Sequence, residues 1–214
     1  APSQNHHASI DKLAAQGVPF VLLSSRKPGL NYVDADNVSG SYQIVRHFVE
    51  LGHKRIATIT GDLQTTNGVD RLDGYKKALR EGGIDFNPAL VVNGNFQLAS
   101  GYQEMKHLLS ITPRPTAVFC ANDFMAVMAV RACLEIGLNI PGDISIVGYD
   151  DNDFTLSSHP ALTSVRQPCY EMGNCAVKAV LEILKENGKK SVQLLLPNEL
   201  IYRQSCCGMH PARP

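Results

Sequence analysis

The sequence predicts an α/β protein in which parallel strands are covered by helices on both faces. Three observations carry this. Four apolar runs, Val21–Leu23, Ile56–Thr60, Ala117–Ala121 and Ile144–Tyr149, each end at a polar residue or a glycine: Ser24, Gly61, Asn122 and Asp150. Strand-like runs alternate with segments of helical periodicity, and the connections between them are short. The hydrophobic fraction of 44% over 214 residues is enough for a real core. In an open parallel sheet, ligands bind in the crevice outside the carboxyl ends of the strands. The four strand ends therefore place a row of hydrogen-bonding groups where a small molecule would sit.

Taken in order, Val18–Leu23 reads as a strand. Ser39–Leu51 is a helix whose apolar face is Ile44, Val45, Phe48 and Leu51, ended by Gly52. Arg55–Thr60 is a strand. Val69–Glu81 is a helix with Leu72, Tyr75 and Leu79 on one side, closed by Gly82 and Gly83. A short strand at Leu90–Val92 precedes a helix over Leu98–Leu109, built on Leu98, Tyr102, Met105 and Leu109. Thr116–Cys120 is a strand and Asp123–Ile136 a helix closed by Gly137; Ile144–Gly148 is a strand. Pro168–Asn187 is a long helix with Met172, Ala176, Val180 and Leu184 inward. Val192–Leu196 and Leu200–Tyr202 are final strands on either side of Pro197, and Gly208–Pro214 reads as a disordered tail.

Composition excludes several classes. Lysine plus arginine balance aspartate plus glutamate at 20 each, with no basic stripe of the kind that grips DNA. The longest apolar runs are far too short to span a bilayer. The opening residues are polar, do not form an export signal and lack an initiator methionine, so the chain is expected to be a fragment or a processed form. Six cysteines, at 120, 133, 169, 175, 206 and 207, form no Cys-x-x-Cys pair and no zinc spacing. They read as small buried hydrophobes of a reducing cytosol. The histidines, at 6, 7, 47, 53, 107, 159 and 210, are scattered, and His53 after a helix-ending glycine reads as structural. Metal-protease, nucleophile-elbow and phosphate-loop motifs are absent, and the single glycine in Thr60-Gly61-Asp62 is too little for a dinucleotide fingerprint. No catalytic residue, metal or cofactor is expected.

The helix from Phe124 to Leu134 is apolar nearly all round, and such a helix is buried on every side. One face meets the sheet. The other meets either another part of this chain or a second subunit, and Met125, Met128 and Cys133 are the residues expected at a homodimer seam.

Among the polar residues, Arg71 opens a helix just after the strand ending at Gly61, and a planar guanidinium fork can grip adjacent hydroxyls or a carboxylate. A solvated helix arginine is the plainer alternative. Asp150 follows Gly-Tyr at a strand end, where a carboxylate can accept from two hydroxyls at once. It could equally serve as a cap or turn residue in Asp150-Asp151-Asn152-Asp153, a run that lacks the glycine and terminal glutamate of a calcium loop. Asn122 both donates and accepts, which suits a hydroxyl. Asp123 beside it is the expected helix cap, leaving Asn122 for a ligand.

At this point a family pattern emerges. Arg46-His-Phe-Val-Glu-Leu-Gly-His-Lys-Arg-Ile resembles the "HLxxLGHxRIA" segment of the lactose-repressor (LacI/GalR) family. So do Arg71-Leu-Asp-Gly-Tyr, the stretch Pro115–Ala126, the stretch Ile140–Asp151, Leu162-Thr-Ser-Val-Arg-Gln-Pro and Leu195-Leu-Pro-Asn-Glu-Leu-Ile. The motifs run in family order from about Gly17 to Cys206. The resemblance implies a periplasmic-binding-protein-like type I fold: two doubly wound parallel-sheet lobes joined by a three-strand hinge, with the N-terminal lobe incomplete and the helix-turn-helix absent. By the same resemblance, residues 1–35 and 167–196 belong to the N-terminal lobe, 36–166 and 197–207 form the C-terminal lobe, and 208–214 are the tail. The hinge crossovers fall near Asp34–Asn37, Ser164–Gln167 and Pro197.

The family's effector contacts match Arg71, Asp150 and Asn122, an aromatic at Phe96 that packs on the effector ring, and Asn67. Ser24 departs from the pattern, since many members carry Asp there, and the loss of that charge puts a standard hexose site in doubt. The implied function is effector sensing, with a sugar as default and a purine or other polar metabolite as alternative. The regulator would be cytoplasmic and dimeric, and would bind operator DNA through a helix-turn-helix. A periplasmic sugar-binding protein of a transporter shares the fold; the six cysteines, the lack of an export signal and the Leu-Pro-Asn-Glu-Leu-Ile ending argue against it. An enzyme of the same α/β class has nothing catalytic to support it.

Overall fold

A computed structural model describes residues 7–186 and 190–208. The core of the molecule is a four-stranded, all-parallel sheet made of β3 (Ile56–Thr60), β4 (Val91–Asn93), β5 (Ala117–Cys120) and β6 (Ser145–Val147), in the order β4-β3-β5-β6. Its strands read as apolar runs because both faces are covered. Alternation along each strand sends side chains to opposite sides. Ile56, Ala117, Phe119 and Val147 join the cluster under α2 (Asn37–Glu50) and α3 (Thr66–Glu81), with Phe48, Tyr75 and Leu79. Ala57, Ile59, Val118, Cys120 and Ile146 join the cluster under α4 (Leu98–Ser110) and α5 (Asp123–Glu135), with Met105, Leu108, Met125 and Cys133. The winding direction reverses between β3 and β5, which makes the gap between their carboxyl ends the topological switch point.

A smaller sheet orders β1 (Leu22–Leu23), β2 (Tyr32–Ala35) and β8 (Gln193–Leu196), again all parallel. The long helix α7 (Cys169–Lys185) packs on it through Met172, Cys175 and Ala176 against Val33, Ala35, Leu194 and Leu196. An N-terminal helix, α1 (His7–Ala15), precedes it. The chain passes between the two sheets three times: from Ala35 into α2, from β7 (Ser164–Arg166) into α7, and from β8 into β9 (Glu199–Ile201). β7 and β9 pair antiparallel beside β6. The crossovers are tied together, since the Asp36 amide donates to the Leu196 carbonyl (2.8 Å) and Asn198 Nδ2 donates to the Asp36 carbonyl (2.8 Å) and to the Tyr149 hydroxyl (2.9 Å). This is the α/β, parallel-sheet architecture that the sequence predicts.

Several expectations need correcting. The first strand pairs only at Leu22–Leu23, opposite Tyr32 and Val33 of β2. That neighbour was not anticipated, nor were α1, β7 and the four-residue helix α6 (Phe154–Ser157). Helix α2 starts at Asn37, two residues early, because Asp36 caps it by accepting from the Ser39 amide (2.9 Å). Helix α3 starts at Thr66 behind a Thr65 cap. Asp123 is not the cap of α5: Asn122 is, accepting from the Met125 amide at 2.9 Å. In α7 the buried face is Met172, Ala179 and Ile183, whereas Leu184 is exposed with Val177 and Leu181, so the expected phase is off by one residue at its C-terminal end. Met125 and Cys133 are 0% exposed and packed between their own sheet and α4, which removes both from any dimer seam. Asn187 and the residues of the expected tail beyond Gly208 lie outside the described residues, as do His6 and His210.

Candidate functional site: a polar crevice at the strand ends

Arg71 occupies the switch point. It stands on the first turns of α3, and its side chain is 3% exposed. Nε donates to Asn37 Oδ1 (2.9 Å) and Nη1 to the Ala121 carbonyl at the end of β5 (2.5 Å). The guanidinium lies 3.7 Å from the centroid of the Tyr149 ring and 5.7 Å from that of Phe96, a stack that holds its plane. A solvated helix arginine is therefore ruled out. Nη1 is also 3.4 Å from Asp150 Oδ1. These contacts run through Nε and Nη1, and Nη2 is the remaining donor of the fork.

Asp150 follows β6 with φ 108° and a side chain 27% exposed. Its Oδ1 accepts from Gln167 Nε2 at 2.7 Å, across the crossover into α7. Burial pushes the carboxyl above its usual range; Arg71 and the Gln167 bond pull the other way. Both the Gln167 bond and the Arg71 contact fall on Oδ1. Phe96, just past β4, has φ 64°. Its ring lies directly over Gly61, where a Cβ would fall 1.9 Å from the ring. Only a glycine after β3 admits that contact.

Ser24, after β1, has φ 54° and its amide donates to the Val33 carbonyl (3.1 Å). The non-glycine residues with positive φ among those described are Ser24, Phe96, Asp150 and Asp151. Three of them are residues singled out from sequence, and the fourth adjoins Asp150. Backbone in this region is costly for non-glycine residues and clusters at ligand clamps and active sites. Asn67, in the first turn of α3, is half-buried and accepts weakly from Thr66 Oγ1 (3.4 Å).

Asn122 is placed differently from expectation. Its Oδ1 is committed to capping α5, and its Nδ2 donates to the Phe96 carbonyl at 2.9 Å. With 4% exposure it braces the Phe96 turn. Asp123, expected as the cap, is 0% exposed and accepts from Ser164 Oγ (2.6 Å) and the Asn152 amide (2.8 Å). Burial raises its carboxyl to about 7 against those bonds.

Sequence reasoning missed a second charge cluster beside Arg71, formed by Arg26, Asp34 and Asp70. Its one legible sign was a carboxylate within the otherwise apolar strand Tyr-Val-Asp34-Ala. Gln167 was also missed. Among the described residues no group of three or more potential ligands could hold a metal ion, all six cysteines are free, and no helix is long and apolar enough to cross a membrane.

A crevice lined by fixed polar groups and one aromatic, at the carboxyl ends of parallel strands, defines a small-molecule-binding α/β domain. Residues 45–206 match the model of the periplasmic binding protein-like domain family. The chain belongs to that family, on the branch of the LacI-type regulators. It is 36% identical over 193 residues to the HTH-type transcriptional regulator CelR of Thermobifida fusca, covering 88% of this chain and 57% of that protein. To the HTH-type transcriptional repressor PurR of Haemophilus influenzae it is 35% identical, covering 92% of this chain and 60% of the relative. The chain thus spans under two thirds of the length of these relatives. Among solved structures, the CelR–cellobiose complex superposes with a TM-score of 0.85 at 33% identity, over 95% of this chain and 71% of that one. A LacI family regulator from Enterococcus faecium with bound ribose gives 0.86 at 30% identity, over 95% and 76%. These relatives are transcriptional regulators, and they leave the transporter alternative without support.

Proposed function

We propose that this chain is the effector-sensing domain of a LacI-type transcriptional regulator acting in the cytoplasm, with a sugar or similar uncharged polar metabolite bound between two lobes. Residues 1–35 and 167–196 contribute to the N-terminal lobe; 36–166 and 197–207 form the C-terminal lobe. The observation that carries the reading is the pairing of buried Arg71 with half-buried Asp150 at the switch point, with an aromatic ring alongside. Phe96 would pack on the apolar face of the ligand, and Asn67 and Ser24 would contact it from either side. Asn122 acts by bracing Phe96. The domain carries no catalytic role.

A ligand that bridges the lobes favours one relative placement of them, and only by its differential affinity for the two placements. In the whole protein that bias would reach operator DNA through a helix-turn-helix and a homodimer seam. The seam we assign is the outer face of α5, where Phe124, Leu134 and Ile136 are exposed, together with α6 and His159. Phe124 stacks on Phe154 at 5.0 Å there, beside an open groove of about 480 Å³ lined by Val127, Arg131 and Leu134. Of the residues expected from sequence, only Met128 stays partly accessible.

Calorimetry with cellobiose and ribose as first probes tests the site. Replacing Arg71 by Ala should cost about 1.5–3 kcal/mol of binding, roughly a tenfold to hundredfold loss. Unchanged affinity in both Arg71→Ala and Asp150→Asn would overturn the assignment.

A further inference from the structure

Arg26 projects from the loop after β1, in the smaller lobe. Its Nη2 is paired with the carboxylate of Asp70, on α3 of the larger lobe. Its Nε lies 3.5 Å from Asp34 Oδ2, on β2 of its own lobe. Asp34 is 0% exposed, and its other oxygen accepts from the Ala35 amide at 2.8 Å. Arg26 Nε and Asp34 Oδ2 are two of the four buried side-chain polar atoms left without a hydrogen bond among the described residues. One guanidinium therefore stands between two carboxylates, bonded to the far one and just short of the near one. Burial pushes both carboxyls up, Asp34 to about 6, and Arg26 opposes this in each case.

A buried carboxylate with no partner is costly, and so is a stranded guanidinium. The arrangement avoids either when the lobes part, because Arg26 can then pair fully with Asp34. When the lobes meet, Arg26 leans to Asp70 and leaves Asp34 under-served. Two arrangements of one cation thus accompany two placements of the lobes, which is the bistable element that a hinge transition needs.

We propose that Arg26, Asp34 and Asp70 form an inter-lobe latch, in which Arg26 exchanges between a carboxylate of its own lobe and one on the opposite lobe and so sets the closed-to-open ratio of the crevice before any effector binds. The latch rests on the two-lobe reading above but not on which effector is bound, and it is read without ligand. Calorimetry with the sugars tests the effector reading separately.

The variants are Arg26→Gln, Asp70→Asn, their double, and Asp34→Asn, each checked for cooperative melting. Small-angle scattering and amide exchange at residues 34–37, 164–167 and 197–199 report lobe separation. Asp70→Asn should lower the closed-to-open ratio about two- to fivefold, in line with an ion pair, whereas Arg26→Gln, which removes the cation that both states use, should open the protein less than Asp70→Asn does. The double variant should match Arg26→Gln, since without Arg26 the Asp70 carboxylate has no latch partner left to lose. Asp34→Asn removes the competing partner and should leave the protein at least as closed as the parent. Asp70→Asn keeps its size on a helix surface, so it stays informative if Arg26→Gln fails to fold. Parent-like scattering in Asp70→Asn, additive opening in the double variant, or opening by Asp34→Asn to the extent seen with Asp70→Asn would each overturn the latch.

Discussion

Replacing Asp150 by Asn should separate affinity from stability. The substitution keeps the size of the side chain and the oxygen that accepts from Gln167 Nε2 at 2.7 Å. It removes the negative charge 3.4 Å from Arg71 Nη1. At an effective dielectric near 20 that pair is worth at most about 5 kcal/mol in gross Coulomb energy. The net value is far smaller, because the carboxyl of Asp150 is raised, with burial as its largest cause and Arg71 only partly compensating. A raised carboxyl means that the folded state prefers the protonated form more than the unfolded chain does. Ionisation at pH 7 therefore subtracts stability, and Asn, which carries no charge, should leave the melting temperature unchanged or slightly higher. Binding should respond in the opposite sense. A charged acceptor is worth about 1.5–3 kcal/mol per hydrogen bond, so sugar affinity should fall roughly tenfold to hundredfold. Paired measurements, calorimetric binding and thermal unfolding of the same preparation, check both halves. A large drop in melting temperature, or undiminished affinity for a sugar that binds the parent, would refute the reasoning.

Asp123 gives a pH prediction. Its carboxyl is raised to about 7 from a usual value of 3.8. Folding then takes up a proton, and stability falls as pH rises through that window, by at most about 4 kcal/mol. Asp34, raised to about 6, acts in the same direction at lower pH. Burial lowers His47 and His53, which works in the opposite sense, so the test is the difference between variants: in denaturant titrations Asp123→Asn should gain stability relative to the parent as pH rises from about 5 to about 8, and a difference that does not change with pH contradicts this. Gly61→Ala would put a methyl 1.9 Å from the Phe96 ring. Overpacking of that kind costs about 1–3 kcal/mol, and the displaced ring should also lower sugar affinity, read by urea unfolding and calorimetry. Leu134→Asp, at a half-exposed position on the outer face of α5, should give monomers in light scattering that still unfold cooperatively, whereas a dimer that persists argues for another seam.

The alternation of apolar and polar residues along the chain determined the larger sheet and its helices, because strand and helix periodicities are local properties of the sequence. It also placed Ser24, Asn122 and Asp150 at strand ends, and the crevice lies where parallel strands end. Short elements escaped: β2 and β7 are three or four residues long, too few to show a period, and pairing with β8 and β9 makes them strands. Which of Asn122 and Asp123 caps α5 could not be read locally, since either side chain can accept from the first turn. The choice was made by Ser164 and Asn152, which approach from distant segments and claim Asp123. The outward face of α5 was likewise hidden in a sequence apolar on every side, until α4 buried Met125 and Cys133. Arg26 and Asp70 are 44 residues apart, and nothing in either neighbourhood announces the other. Charges find partners across a fold by position in space, which only the tertiary structure decides.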